Sequence, residues 1–311
     1  MNSGNSPHYV IKRVSREWDW IMHATGDRYG RTTTLWQHGI LDRLPEEIEH
    51  TVLACAVDGA GRAILMRDVT ETLLPDGEQP ISEKDHELIL DAMAALHAAF
   101  WEDPILQHPA LNVCTPEQIF SWTSPERARQ VLAVCPHEVL EWVIGGWDLL
   151  PEYVEADVAE LLRSLARDPS PLCTALARFP RTLVHSDMRA ANLGVIHDES
   201  PRLILLDWML AAATVPTLDL ARYLLEYQFP SSKEATIDFY KQRLAQRLGD
   251  RFDESWWQPL LELGLLASFL QIACFKAWFG THHEDEECRI QQLAVFPWCS
   301  EYARAWAKWL S

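Results

Sequence analysis

A chain of 311 residues with 48% hydrophobic side chains, 14 Trp and 10 Phe has ample material for a packed core, which excludes a disordered protein. Its 27 Lys/Arg against 45 Asp/Glu give a net charge of −18, which argues against a nucleic-acid partner. The charge is uneven: residues 1–69 carry 8 basic and 9 acidic side chains, leaving 19 against 36, net −17, in residues 70–311. The seven cysteines (55, 114, 135, 173, 274, 288 and 299) are odd in number and form no C-x-x-C pair, as expected of buried thiols in a reducing compartment. The N-terminal segment lacks the apolar run of a signal peptide. The most apolar stretch, Leu263 to Phe275, is thirteen residues without a charge, bounded by Glu262 and Lys276, too short to span a bilayer. A cytoplasmic protein without a membrane partner is expected.

Along the chain, Tyr9-Val10-Ile11 leading into Lys12 predicts a short strand, and a helix follows from Thr32 to about Leu41, ended by Leu44-Pro45. Thr51 to Val57 and Ala63 to Val69 are β-branched-leaning apolar runs around Asp58-Gly59-Ala60-Gly61, which predicts a hairpin. Thr70 to Pro80, with two prolines and Gly77, is the expected lobe boundary, dividing 1–69 from 70–311. Beyond it the pattern is helical. Ser82-x-x-Asp85 precedes apolar positions at helical spacing, and Thr115-Pro116-x-Gln118 opens another helix. Val154, Val158, Leu161, Leu162 and Leu165 form a stripe, Ser231-x-x-Glu234 opens a further helix, and 255–279 and 287–310 are long and helical. Three short β-like runs interrupt this region: Arg181–Val184, Leu193–Ile196 and Arg202–Leu206.

These strands carry the chemistry. The first delivers His185-Ser186-Asp187, with Asn192 five residues on, and the third delivers Asp207 fifteen residues after Asn192. Phosphoryl transfer needs one carboxylate to orient an acceptor hydroxyl and take its proton. It also needs a carboxylate and an amide oxygen to hold magnesium against nucleotide phosphates. Asp187, Asp207 and Asn192 are that set, and turn-formers alone would have to match three spacings at once.

LVHSDMRAANLGV, LILLDW and LDLARYL resemble the aminoglycoside phosphotransferase and choline kinase branch of the protein-kinase-like fold, as do AILMRDV and MAALHAAFW upstream. The resemblance runs from about Val10 to the end and is most specific over 182–225. It implies an α+β bilobal fold with a reduced N-terminal β-rich lobe and a large helical C-terminal lobe. It also implies an ATP- or GTP-dependent, magnesium-requiring kinase of a small-molecule hydroxyl acceptor. By resemblance Asp187 is the base, Arg189 neutralises charge near the transferred phosphate, and Asn192 and Asp207 hold magnesium. His185 and Asp219 are structural, Lys12 pairs with the phosphates, and Met66, Arg67 and Val69 line the nucleotide site. Two departures stand out. Gly4 is the only glycine ahead of Lys12, so the phosphate-covering loop is expected to be reduced. Thr32, Thr33 and Thr34 stand where an acid would orient the lysine, so Lys12 is expected to be loosely held unless Asp27 or Glu17 substitutes.

Other candidates read more simply. His282 to Glu287 is a solvated loop leading into a helix rather than a metal site, and His97 is a packing residue. The acidic large lobe leads us to expect a cationic or neutral acceptor. A pseudokinase that binds ligand without turnover is the alternative. A metal-dependent phosphoesterase would need more His and Asp ligands at close spacing than the sequence offers.

Overall fold

The computed structural model describes residues 8–74, 81–226 and 231–310. β1 (Tyr9–Val14) pairs antiparallel with β4, placing Lys12 opposite Ile64. Asp19 accepts the Ile21 and Met22 amides and so opens α1 (Trp20–Ala24), which the sequence pattern did not single out. α2 (Arg31–Gln37) ends before the expected Leu41, and a separate 3-10 turn covers Leu41–Arg43. β2 (Ile48–Glu49) is followed by the hairpin of β3 (Val52–Asp58) and β4 (Gly61–Arg67). The hairpin turns through Gly59, whose φ of 57° suits a residue without Cβ. The small sheet has the order β1-β4-β3. Val69, expected in the last strand, lies past its end, and Thr70–Thr72 is a 3-10 turn. Residues 75–80 of the expected boundary lie outside the described residues.

Helices dominate the rest of the chain. α3 (Glu83–Ala99) starts at Ser82, which caps the Asp85 amide, and α4 (Pro116–Ser121) opens with the full Thr115/Gln118 capping box. α5 (Pro125–Leu132), α6 (Glu138–Leu149), α7 (Ala156–Arg167) and α8 (Ser170–Leu176) lead to β5 (Thr182–Val184). β6 (Leu193–Ile196), β7 (Arg202–Leu205) and β8 (Ala212–Thr214) come next. The expected single island of strands is two sheets: β5 pairs with β8, whereas β6 and β7 join β2 in the order β2-β7-β6. β8 and β2 are too short for a periodicity signal, so their pairings were not legible.

α9 (Thr217–Glu226), α10 (Lys233–Leu248), α11 (Glu254–His282), α12 (Glu286–Leu293) and α13 (Val295–Ala307) complete the fold. Ser232, not Ser231, caps α10; Ser231 instead bonds His86 and Thr236. The run 287–310 is broken at Ala294 rather than continuous. At His282 to Glu287, Asp285 caps the Cys288 amide at the start of α12. Among the described residues no group of three or more His, Cys, Asp or Glu is placed to hold a metal ion.

α11 is the axis of the large lobe. At 29 residues it is long and apolar enough to cross a membrane, more than the thirteen-residue stretch suggested, yet 89% of its most apolar window is buried inside the protein. α6 and α9 press against it closely enough to require glycine. A Cβ on Gly146 would lie 1.9 Å from the Cys274 carbonyl oxygen, and one on Gly264 would lie 2.4 Å from Thr217 Oγ1. Both obstacles sit on regular helices, so relief needs a helix to move. Gly146→Ala should therefore destabilise the protein by about 1–3 kcal/mol, measured as a lower midpoint of denaturant unfolding.

Candidate active site

The site is built on a buried carboxylate. Asp219, in the first turn of α9 and fully buried, accepts the His185 amide on Oδ2 at 2.8 Å and the Ser186 amide on Oδ1 at 2.7 Å. His97 Nε2 lies 3.2 Å from Oδ2, and its Nδ1 is 2.6 Å from the Tyr240 hydroxyl, so both ring nitrogens have partners. This clamp holds Ser186 at φ 65°, a left-handed conformation costing about 1–3 kcal/mol in a non-glycine residue. The turn presents Asp187 at the end of β5.

Asn192 closes the other end of the loop. Its Nδ2 donates to Asp187 Oδ2 at 2.7 Å and to the Asp187 carbonyl at 3.0 Å. The Leu206 amide bonds the Asn192 carbonyl at 2.9 Å, and His185 Nε2 donates to the Leu206 carbonyl at 2.7 Å. The end of β7 is thereby tied to the Asp187 loop, although β5 and β7 belong to different sheets. Asp207 comes next, also left-handed at φ 60°.

Lys12 reaches across from the small sheet. Its Nζ is 2.8 Å from Asp207 Oδ1 and 3.2 Å from Met209 Sδ. The expectation that Lys12 would be loose or would find Asp27 or Glu17 is corrected: among the described residues its ion-pair partner is Asp207. Asp27 has other work. It is buried, accepting the amides of Tyr29, Gly30 and Arg31 and Nδ2 of Asn112.

α2 contributes a group that the sequence pattern did not reveal. Arg31 is fully buried and donates to the carbonyls of Asn112 and Met209, fixing α2 to the chain just past Asp207. The adjoining threonines drew attention away from it. A fully buried arginine has no signature in one sequence.

A cavity of about 210 Å³ lies between the small sheet and the end of β7, lined by Lys12, Thr32, Val52, Ile64, Met66, Asn192, Leu205, Asp207 and Trp208. Of the expected nucleotide-site trio, Met66 lines it, whereas Arg67 and Val69 do not. Arg67 gives its amide to Thr51 and its guanidinium to Glu49, and the Val69 carbonyl accepts the Thr72 amide and hydroxyl. Arg67 and Val69 were expected there from the resemblance of AILMRDV to a strand-to-hinge segment. A larger depression of about 600 Å³ beside Tyr153 and Arg304 is distant from these groups.

Asp187 is surrounded by positive charge. Arg189 Nε lies 3.1 Å from Oδ2 and Arg222 Nη2 lies 3.4 Å from Oδ1. The Asp187 charge, with smaller contributions from Asp207 and Glu226, raises the pKa of the half-exposed Arg189. Arg222 also pairs with Glu226 at 2.8 Å, and Glu226 with Lys276 at 2.6 Å. Arg222, Glu226 and Lys276 were not foreseen as site residues. Charges four apart on a mostly buried helix were the available signal, and Lys276 had been read as the boundary of an apolar run.

Asp207 Oδ1 is buried, receives no well-directed hydrogen bond, and has an ammonium beside it, so a cation suits the position. Asn192 has committed its amide nitrogen to Asp187, leaving its oxygen for a cation. One carboxylate and one amide oxygen, with phosphates supplying the rest, fit magnesium, which seldom occupies all-protein cages.

No protein-family model and no curated protein matches the sequence. Solved structures match its fold. A microcompartment-associated aminopropanol kinase superposes with a TM-score of 0.52 at 14% identity, covering 99% of this chain and 87% of that one. The chain carries the protein-kinase-like fold. The GDP complex of an aminoglycoside 2'-phosphotransferase IIIa variant superposes with a TM-score of 0.50 at 13% identity, over 96% and 86% of the two chains. In that α+β fold the β1-β4-β3 sheet faces a mainly helical body across the 210 Å³ cavity.

The Asp219 clamp has a measurable consequence. Asp219→Ala would leave two buried amides and His97 without an acceptor, at about 1–3 kcal/mol for each unsatisfied donor. We expect a large loss of stability on chemical denaturation. In the milder Asp219→Asn, amide hydrogen exchange at His185 and Ser186 should accelerate.

Proposed function

We propose that the protein is a phosphotransferase that moves the γ-phosphoryl group of ATP or GTP to a hydroxyl of a small molecule. The observation that supports this best is the cavity lining of Lys12, Asn192 and Asp207, with Lys12 Nζ 2.8 Å from Asp207 Oδ1 and Asn192 Nδ2 2.7 Å from Asp187 Oδ2. The names of the two structural neighbours agree, one a kinase of a small amino alcohol and the other a phosphotransferase with a bound guanine nucleotide. In this reading residues 1–69 form a nucleotide-binding lobe and 70–311 the catalytic and acceptor-binding lobe. The seven cysteines, five of them buried, suit the cytoplasm.

Each residue then has a physical task. Asp187 accepts the hydroxyl proton, and its held orientation aims the acceptor oxygen in line with the phosphorus. To do so it must release one partner. Arg189 is the more exposed of its two arginines, so it is the one that turns to the transferred phosphoryl group. Asn192 and Asp207 would hold magnesium, which when bound neutralises charge on the phosphates. Lys12 would exchange Asp207 for a phosphate, which would free that carboxylate to hold the metal. Val52, Ile64 and Met66 would offer an apolar wall to the nucleotide base, and Lys12 a charge to its phosphates.

Asp187→Asn keeps the shape and removes the proton acceptor. Nucleoside diphosphate formation should fall by about 10²–10⁴-fold with thermal unfolding little changed, and a rate near wild type would contradict the assignment. Nucleotide binding by the wild-type protein with no turnover would favour the pseudokinase reading.

Magnesium-nucleotide at a hundredfold excess over its dissociation constant should stabilise the protein by about 2.7 kcal/mol. Asp207→Ala should abolish this stabilisation. Lys12→Ala should retain most of it, because the substitution frees Asp207 for metal. Calorimetry with and without magnesium separates the two variants.

A further inference from the structure

The reach of the acidic large lobe is short. Its −17 is spread over 242 positions, and charges separated by more than about 8 Å are screened at physiological salt. What an acceptor meets is set by the groups beside Asp187. These are a connected chain: Asp187 to Arg222 at 3.4 Å, Arg222 to Glu226 at 2.8 Å, Glu226 to Lys276 at 2.6 Å. It runs from the Asp187 loop through α9 into α11. Burial alone would raise the pKa of Glu226, but Arg222 and Lys276 outweigh it and hold Glu226 below the ordinary carboxylate range, so it is ionised. The Lys276 side chain is 6% exposed and the Arg222 side chain 13%, and each is held by its ion pairs.

The sum of this chain decides its preference. Two carboxylates, Asp187 and Glu226, face two fixed cations, Arg222 and Lys276, and the total is zero once Arg189 has turned to the phosphoryl group. A site that attracts ammonium groups leaves carboxylate charge uncompensated, whereas here each carboxylate has a buried counter-ion.

We propose that Arg222, held by Glu226 and Lys276, is a specificity-determining residue that makes the acceptor site charge-balanced, so that it takes an uncharged polyhydroxyl compound, of sugar or polyol type, in preference to a cationic one. The proposal rests on the phosphotransferase reading and narrows it. Arg222 acts through Asp187 rather than by touching the acceptor. Its removal leaves the chain at −1, which favours an ammonium-bearing acceptor. Neutralising Glu226 leaves it at +1, with the opposite effect.

The test compares glucose with glucosamine, and ethylene glycol with ethanolamine, each pair differing by a hydroxyl against an ammonium. In the wild-type protein kcat/KM for the neutral member of whichever pair is used should exceed that for the cationic one by at least about tenfold. Arg222→Gln should lower this ratio by about tenfold or more, Arg222→Lys should restore it, and Glu226→Gln should raise it. A purely structural role would depress both members alike and leave the ratio unmoved. If Arg222→Gln fails to fold, Arg222→Lys and Glu226→Gln still carry the comparison. Should magnesium-nucleotide bind without any turnover, the phosphotransferase reading fails. The same ratio is then read as acceptor binding by ligand-observed NMR without nucleotide, where Arg189 stays on Asp187 and the cation is disfavoured further. A wild-type preference for the cationic member overturns the proposal, as does a ratio that both charge variants leave unchanged or move in one direction.

Discussion

Two consecutive backbone amides held by one buried carboxylate are the constraint on which the site depends. The His185 and Ser186 amides both donate to Asp219, and Ser186 then adopts a left-handed conformation that turns the chain toward Asp187. Without that acceptor the turn would lose its reason to be strained, and Asp187 would lose its direction. Asp219 is in turn fixed by α9, which Gly264 allows to press against α11, and it lies beside His97 of α3. The orientation of the Asp187 carboxylate, beside Asn192 of the cavity lining, is thus set by packing deep in the helical body.

The second constraint is the stitching of separate elements around Asp207. His185 reaches the Leu206 carbonyl, the Leu206 amide reaches Asn192, and Arg31 of α2 reaches the Met209 carbonyl. The Leu206 bond extends the β6–β7 ladder, whereas the other two join separate elements. They make the 185–192 and 206–210 loops a single unit, with the small-lobe helix attached to it. Lys12 completes the unit electrostatically from the opposite sheet.

Much of this was legible in the sequence. The hairpin, the capped helices at Ser82 and Thr115, and the spacing of Asp187, Asn192 and Asp207 carry local signals that packing did not override. What stayed hidden is what depends on non-local partners. β2 is two residues long, β8 is three, and neither has a period to read. Lys12 finds its carboxylate 195 positions away, beyond any local spacing rule. Arg31 was masked by neighbouring threonines, and Lys276 by the apolar run it terminates. Whole-lobe charge likewise gave no sign of the contacts that join Asp187, Arg222, Glu226 and Lys276.

The two sides of the cavity are linked more than once. Ile48–Glu49, ahead of the β3–β4 hairpin, pairs parallel with Leu203–Ile204 in the sheet that ends at Asp207. Glu49 then bridges Arg67 at the end of β4 to Arg202 at the start of β7. This is a second strap in addition to the connection through residues 70–81. A body held by two straps does not swing on one pivot. Opening the cavity would have to break the Glu49 ion pairs on one side and the Lys12–Asp207 pair on the β1 side.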